Sequence, residues 1–176
     1  AVQTLVNNAG FGLAGKFARL PFDRQREMID LNVRTLTELC RLVLPGMVER
    51  GRGAILNVAS TAAFQPGPNM AVYYATKAYV LSFTEALHHE LKRQGIRVSA
   101  LCPGPTETEF MDVAGVRSPM LSRISADAAS VVRVGLRGLD RNKAVIIPGL
   151  ANKVTSQSSR FLPRAAMRRI VGAIKV

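Results

Sequence analysis

Four short apolar segments alternate with long helical patterns along the chain, and this alternation constrains its fold more than any other feature. The apolar segments are hydrophobic throughout rather than at every second residue, which is typical of parallel strands covered by helices on both faces. Connections of helical length between such strands predict right-handed crossovers within one parallel sheet. The predicted strands cover residues 3–7, 53–59, 96–101 and 144–147.

Three helices are predicted between and after these strands, over residues 21–49, 72–94 and 125–139. Hydrophobic residues recur at helical spacing in the first of them, and Pro45 is expected to bend or end it. Ser125 is the predicted N-cap of the third helix. Residues 106–123 are predicted to form a loop, and residues 150–176 a basic helical tail on a domain formed by residues 1–149.

The composition fits one domain in a reducing compartment. With 48% hydrophobic residues among 176, the chain can bury a single core of ordinary size. Cys40 and Cys102 fit neither a disulfide framework nor a metal motif, and the adjacent His88 and His89 would point in different directions on a helix. We therefore expect a cytoplasmic protein without a metal site. No apolar run is long enough to span a bilayer.

The net charge of +12 is concentrated near the carboxyl end. Eight basic residues from Arg141 onward stand without a single Asp or Glu, and such a surface attracts the phosphates of nucleic acid, lipid head groups, a cofactor or an acyl carrier. From Arg160 to Lys175, apolar residues recur at every fourth position beside arginines. That pattern suits a helix lying on an anionic membrane, and it equally suits a helix docked on the body with a solvated basic face. The recurring apolar residues are Leu162, Ala166, Ile170 and Ile174.

Tyr73 and Lys77 lie four residues apart on the second predicted helix, which places both side chains on one face. A tyrosine hydroxyl ordinarily titrates near pH ~10, and a neighbouring ammonium group favours the phenolate, so we expect a lowered pKa for Tyr73. Such a tyrosine exchanges a proton with a carbonyl or an alcohol, which is typically worth ~10²–10⁴-fold in rate. Alone, the same spacing also fits a solvated pair on a helix surface.

Polar and glycine residues stand at the carboxyl ends of three predicted strands. Ser60 follows the second predicted strand, Pro103 and Gly104 follow the third, and the sequence NNAG at residues 7–10 closes the first. The carboxyl ends of parallel strands are where ligands bind, so a serine hydroxyl there can contact a substrate oxygen as charge develops. Asn32 is unusual inside a helix, which indicates a functional role. Ser60 by itself fits a turn as well.

Together these residues resemble the short-chain dehydrogenase/reductase family. NNAG at residues 7–10, Asn32, Ser60, YxxxK at residues 73–77 and the PG-x-T-x-T run at residues 103–108 stand in that family's order and close to its usual spacings. The resemblance covers the chain from the second residue to about residue 148. It implies a Rossmann-like, doubly wound α/β sheet and an NAD(P)-dependent oxidoreductase that interconverts a carbonyl and an alcohol.

The resemblance also implies a role for each residue. Tyr73 resembles the catalytic acid/base, and Lys77 resembles the residue that lowers its pKa and holds the nicotinamide ribose. Ser60 resembles the residue that orients the substrate carbonyl, and Asn32 the helix residue whose backbone carbonyl holds a water in the proton relay. The residues that resemble cofactor contacts are Asn8, Ala9 and Gly10 on the adenosine side, and Pro103, Gly104, Thr106 and Thr108 beside the nicotinamide.

One part of the family pattern is missing. Members begin with a strand, a TGxxxGxG turn that binds the cofactor pyrophosphate at a helix N-terminus, and a later residue that selects NAD or NADP. The chain therefore resembles the carboxyl-terminal two-thirds of the fold, and we expect it to bind cofactor weakly by itself. Gly10, Gly12 and Gly15 imitate a GxGxxG turn but lead into residues 16–22 rather than directly into a helix, so we expect no phosphate loop there.

The segment after residue 103 is rich in apolar residues and corresponds to the family's substrate lid. Its content suggests a hydrophobic substrate such as a lipid-like ketone or a 3-oxoacyl chain, although the same residues suit packing on the sheet. The resemblance implies a homodimer or homotetramer through the two long helices. Two other functions stay open: a truncated, cofactor-binding-deficient remnant that acts as an interaction domain, and a basic protein that binds membranes or nucleic acid, for which no recognised nucleic-acid motif is found. The lid residues are Phe110, Met111, Val113, Val116, Met120 and Leu121.

Overall fold

A computed structural model of the chain describes residues 1–116, 123–159 and 161–173. Within these residues, four strands form one parallel sheet in the order β1-β2-β3-β4, so the predicted α/β fold with a parallel sheet is confirmed. Asn7 pairs with Asn57, and Val58 pairs with Leu101, which brings the carboxyl ends of the first three strands to one edge of the sheet. The strands are β1 (Thr4–Asn7), β2 (Gly53–Val58), β3 (Ile96–Leu101) and β4 (Val145–Ile146).

Helices cover both faces of the sheet, as in a doubly wound fold. Between β1 and β2 the chain forms two helices joined by a π-helical segment (Asp30–Thr35), and short 3₁₀ turns stand at Phe17–Arg19, Thr61–Phe64 and Lys92–Gln94. The α-helices are α1 (Phe22–Ile29), α2 (Leu36–Glu49), α3 (Ala71–Leu91), α4 (Phe110–Ala114), α5 (Ala128–Asp140), α6 (Leu150–Ser158) and α7 (Arg164–Ala173).

The alternation of side chains along each strand divides the core into two layers. Ile55 of β2 packs with α2 and α3 on one face, in a cluster that includes Cys40 and Val80. Leu56, the next residue, packs on the opposite face with Val131 of α5. Burial on both faces explains why the strands are apolar throughout.

The predicted end of the first long helix at residue 49 is confirmed, and one predicted cap is wrong. Pro45, which was expected to bend or end this helix, does not end it, because α2 continues to Glu49 and buries Met47 completely. Ser125 is not the N-cap of α5. Asp127 takes that position, and its carboxylate accepts hydrogen bonds from the amides of Ala129 and Ser130, at 3.3 and 2.8 Å. A carboxylate also suits the positive end of the helix dipole.

The carboxyl-terminal tail is helical, as predicted, but the face that it buries is different. In α7, Met167 and Val171 are buried, whereas Ile170 is 52% exposed. The apolar residues at four-residue spacing, such as Ile170, therefore lie beside the buried face of α7 rather than on it. Arg160, Ile174 and Lys175 lie outside the described residues. Among the residues that are described, no helix has the length and apolar character needed to cross a membrane.

Candidate active site

A cavity of about 800 Å³ opens at the carboxyl edge of the sheet. Its walls come from the loops that follow β1, β2 and β3, from the first turns of α3, and from α4, α5, α6 and α7. Tyr73, Lys77 and Ser60 meet here, together with most of the predicted cofactor contacts. Ala9 and Asn32 do not line the cavity. The lining residues from the predicted set are Asn8, Gly10, Ser60, Tyr73, Lys77, Pro103, Gly104, Thr106 and Thr108.

Tyr73 and Lys77 project from the first two turns of α3 and are both buried. The Lys77 amino group donates a hydrogen bond to the carbonyl of Val58 at 2.8 Å and lies 5.8 Å from the centre of the Tyr73 ring. The Tyr73 ring packs against Phe110 of α4, with ring centres 5.2 Å apart. The pair is therefore held by the end of β2 on one side and by α4 on the other.

The predicted lowering of the Tyr73 pKa by Lys77 is wrong for this structure. Burial raises the pKa of Tyr73 to about 12, although a hydrogen bond with the Ser60 side chain acts to lower it. Burial likewise lowers the pKa of Lys77 to about 8. Removal from water disfavours the charged form of both groups. The Tyr73 hydroxyl therefore keeps its proton at neutral pH and is a weaker acid than an exposed tyrosine.

Ser60 is placed by the start of the 3₁₀ turn Thr61–Phe64. Its hydroxyl oxygen accepts a hydrogen bond from the Ala62 amide at 3.1 Å, and this cap fixes the side chain at the end of β2. The Ser60 hydroxyl also forms the hydrogen bond with Tyr73, and by rotating it can donate instead to an oxygen in the cavity. The Thr61 amide donates to the Pro103 carbonyl at 2.9 Å, so the loops after β2 and β3 are tied together.

Asn32 acts through its side chain in this structure. Its amide nitrogen donates to the Phe11 carbonyl at 2.9 Å and to the Thr76 hydroxyl at 3.1 Å, while its oxygen accepts from the Phe11 amide at 3.2 Å. Asn32 lies within the π-helical segment, and such segments are frequent at functional sites. Its contacts join the loop after β1 to α3, one residue before Lys77.

Gly10 leaves no space for a side chain, because Asn32 fills the space beside it. A Cβ atom at Gly10 would lie 2.8 Å from the Asn32 side-chain oxygen and 3.6 Å from the Lys77 amino group. The close approach of Asn32 therefore requires a glycine at this position, and the cofactor contact of Gly10 stays a prediction. Gly104 is also closely packed, since a Cβ atom there would lie 2.5 Å from the side-chain oxygen of Asn152.

Replacing Gly10 by alanine is expected to lower the free energy of unfolding of the chain by about 1–3 kcal/mol, since the added methyl group overpacks the site. Asn32 must then shift and loosen its bonds to Phe11. Urea unfolding measures the change. Gly172→Ala is the matched control, because a Cβ atom there makes ordinary contact with Pro68 at 3.4 Å within a helix. Equal stability of the Gly10 variant and wild type would contradict the packing described.

The comparisons with known proteins agree with this geometry. A family model described as short chain dehydrogenase matches residues 1–116. The chain belongs to this family. The very-long-chain 3-oxoacyl-CoA reductase of Rattus norvegicus is 34% identical to it over 168 residues, which cover 92% of this chain and 52% of that protein. The chain thus spans about half the length of this relative.

Two solved structures of dehydrogenases share the fold over most of the chain. A short-chain dehydrogenase from Sphingobium yanoikuyae in complex with NADPH is 32% identical, with a TM-score of 0.79 over 99% of this chain and 66% of its own. A 3-ketoacyl-(acyl-carrier-protein) reductase from Brucella melitensis complexed with NADH is 28% identical, with a TM-score of 0.75 over 84% and 65%. The Rossmann-like fold expected from the sequence is confirmed.

The residues present in this family member suit the nicotinamide half of a dinucleotide. Lys77 is a buried amine with no carboxylate partner among the described residues, and polar strand ends surround it. The glycine loop runs into the 3₁₀ turn Phe17–Arg19, and a Cβ atom at Gly12 would meet Phe110, Met70 and Tyr73. That this loop binds no phosphate stays a prediction.

The apolar wall of the dehydrogenase cavity comes from α4 and the residues after it. Phe110, Met111, Val113 and Val116 line the cavity, so the expected apolar surface faces the same space as Tyr73. Met120 and Leu121 lie outside the described residues. Val116 and Phe110 also pack in a cluster with Tyr73, so these residues support its ring and present apolar surface to the cavity.

A buried series of hydrogen-bonded polar side chains behind the site was not predicted from the sequence. The Asn7 side chain donates to the oxygen of Asn57 at 2.8 Å, and Asn57 donates to the Thr84 hydroxyl at 3.0 Å. These bonds fix β1, β2 and α3 relative to one another. The signal was present in the sequence, since Asn57 is the one polar residue in the apolar segment GAILNVA.

Proposed function

We propose that this chain forms the catalytic part of an NAD(P)-dependent oxidoreductase that interconverts a hydrophobic carbonyl compound and its alcohol. The observation that carries the proposal is the meeting of the buried Tyr73 side chain with Ser60 and Lys77 in one cavity. Membership in the short-chain dehydrogenase family supports the reaction class. NADPH and NADH complexes of similar structures support a nicotinamide cofactor of either kind.

The chain's own residues divide the proton chemistry between them. Ser60 donates a hydrogen bond to the carbonyl oxygen, and Tyr73 gives its hydroxyl proton to that oxygen as the carbonyl becomes an alcohol. Lys77 stabilises the tyrosinate that remains. When bound, the reduced nicotinamide supplies the hydride that the carbonyl carbon gains, so one hydride and one proton convert the carbonyl to the alcohol. Oxidation is the reverse of each step.

A 3-oxoacyl thioester with a long acyl chain is the proposed substrate. The apolar wall formed by α4 suits a hydrocarbon chain, and the rat relative is named for this chemistry. The test is to supply the full-length gene product with NADPH or NADH and matched long-chain and short-chain 3-oxoacyl thioesters. We expect cofactor oxidation with a higher kcat/KM for the long chain. Neither cofactor binding nor reduction of any carbonyl would favour the remnant, which is deficient in cofactor binding.

We propose in addition that residues 1–176 bind nicotinamide cofactor only weakly when isolated. The pyrophosphate site of the family is the part of its pattern not found in this sequence. Calorimetric titration of the isolated chain with NADPH is expected to show little heat. Tight binding of NADPH to the isolated chain would contradict this proposal.

We also propose how the protein assembles and where it is located. We propose assembly into a homodimer or homotetramer through α2 and α3, supported by the exposed Leu42 on α2. We propose a cytoplasmic location, with contact to an anionic membrane surface through residues 160–175. Two observations support this contact. Phe161 is 84% exposed. Arg164 and Arg168, which follow it in the sequence, form no ion pair with a carboxylate among the described residues.

A further inference from the structure

The helix α6 forms a wall of the cavity that lies beyond the segment matched by the family model. Asn152, Thr155 and Ser156 line the cavity from this helix. Their spacing of three and four residues places them on one face. The helix packs against the 3₁₀ turn Thr61–Phe64, which directly follows Ser60. This polar face is therefore tied to the catalytic side of the cavity.

Ser156 has a hydroxyl group with an unmet hydrogen-bonding capacity. The residue is 1% exposed, and its hydroxyl oxygen has no hydrogen-bond partner within the described part of the chain. Burying a hydroxyl without a partner costs about 1–3 kcal/mol. Its neighbours on the same face differ, because Thr155 donates to the Ala151 carbonyl and Asn152 donates to the Pro148 carbonyl at 2.8 Å. Ser156 is thus the member of the face that is available to a ligand.

The opposite wall of the cavity is apolar. Phe110, Met111 and Val116 present apolar surface to the same cavity. A simple hydrophobic ketone would use that wall and the Tyr73 hydroxyl, but it would leave the Ser156 hydroxyl without a hydrogen-bonding partner. A compound with a second oxygen near the reacting carbonyl would use both walls. In a 3-oxoacyl thioester the thioester carbonyl stands two carbons from the keto group.

We propose that Ser156 is a specificity-determining residue, whose hydroxyl donates a hydrogen bond to the second carbonyl oxygen of a 3-oxoacyl thioester. This inference rests on the proposed function and deepens it. Ser156 favours the bifunctional substrate over a ketone of equal length, since only the former satisfies the buried hydroxyl. The acyl chain then lies against α4, and the reacting keto oxygen faces Tyr73 and Ser60.

The test compares Ser156→Ala with wild type in the full-length gene product, using a 3-oxoacyl thioester and a monoketone of matched length. Removal of one hydrogen bond worth about 1.4 kcal/mol is a tenfold change. We therefore expect KM for the thioester to rise about tenfold, with KM for the monoketone unchanged. Stability in urea is expected to be equal or higher, because the alanine carries no unpartnered hydroxyl.

Ser158→Ala is the matched control, because that hydroxyl donates to the Thr155 carbonyl at 2.8 Å and does not line the cavity. Equal changes for both substrates, or no change for either, would overturn the assignment of Ser156. Calorimetric binding of the 3-hydroxyacyl thioester product separates this inference from the proposed function. Ser156-dependent product binding without any turnover would refute only the proposed reaction, whereas turnover with Ser156-independent product binding would refute only the role of Ser156.

Discussion

Replacing Tyr73 by phenylalanine is expected to lower kcat for carbonyl reduction by ~10²–10⁴-fold, since the variant lacks the hydroxyl that gives a proton to the substrate oxygen. Phenylalanine keeps the ring that packs against Phe110 and Tyr74, so the fold is expected to be retained. Burial raises the pKa of Tyr73 to about 12, so the hydroxyl carries its proton at neutral pH. Steady-state kinetics at saturating cofactor and substrate measure the loss.

Tyr79→Phe is the control for that variant. Tyr79 stands on the same helix, and its hydroxyl lies 2.9 Å from the Thr37 hydroxyl, outside the cavity. We expect kcat for Tyr79→Phe within a few-fold of wild type, because no proton transfer uses that group. If Tyr73→Phe turns over substrate as fast as Tyr79→Phe, Tyr73 is not the acid/base of the reaction.

Replacing Lys77 by methionine is expected to lower kcat by about 10²–10³-fold, because a positioned charge that stabilises the tyrosinate is lost. The side chain is 7% exposed and donates to the Val58 carbonyl. Methionine has a similar length and an apolar end, so the cavity wall is expected to remain filled. The measurement is kcat in the full-length gene product, and retention of wild-type kcat would contradict the role given to Lys77.

The same variant also tests the environment of Lys77 through the pH dependence of stability. Burial lowers the pKa of Lys77 to about 8 in the folded chain, whereas a lysine in the unfolded chain titrates near ~10.4. Between these values the unfolded state binds more protons, so the free energy of unfolding rises with pH. Below about pH 8 the fold carries the full cost of a desolvated ammonium group.

Urea unfolding of wild type and Lys77→Met between about pH 8 and about pH 10 measures this effect. Wild type is expected to gain stability relative to the variant across that range. The raised pKa of the Cys102 thiol, which burial moves to about 12, acts in the opposite direction but is present in both proteins. A stability difference that does not vary with pH would show that the Lys77 amino group is solvated in the folded protein.

The sheet and the meeting of its strand ends were predictable because parallel strands impose them. Apolar segments such as residues 96–101 place their following residues at one edge whatever the details of the helices. Ser60 and Gly104 therefore come together for topological reasons, and Tyr73 joins them through α3. The expected strand limits also held within two residues, since hydrophobic segments end where the chain leaves the core.

The details that escaped prediction depend on competition between neighbouring groups. Asp127 rather than Ser125 caps α5, because the start of a helix is set by small differences between adjacent capping residues. The direction of the Tyr73 pKa depends on burial, which the spacing from Lys77 does not contain. Met167 is buried where the four-residue pattern favoured Ile170, because docking of α7 selects its face.

Deuterium transfer tests the central claim most directly. The full-length gene product is given NADPH that carries deuterium at the transferred position of its nicotinamide ring, together with a 3-oxoacyl thioester, and the product is examined by mass spectrometry. We expect wild type to form a 3-hydroxyacyl thioester with one deuterium on the new carbinol carbon, and Tyr73→Phe to form only a trace of it. Unlabelled alcohol, or equal labelled product from the Tyr73 variant, would contradict the central claim.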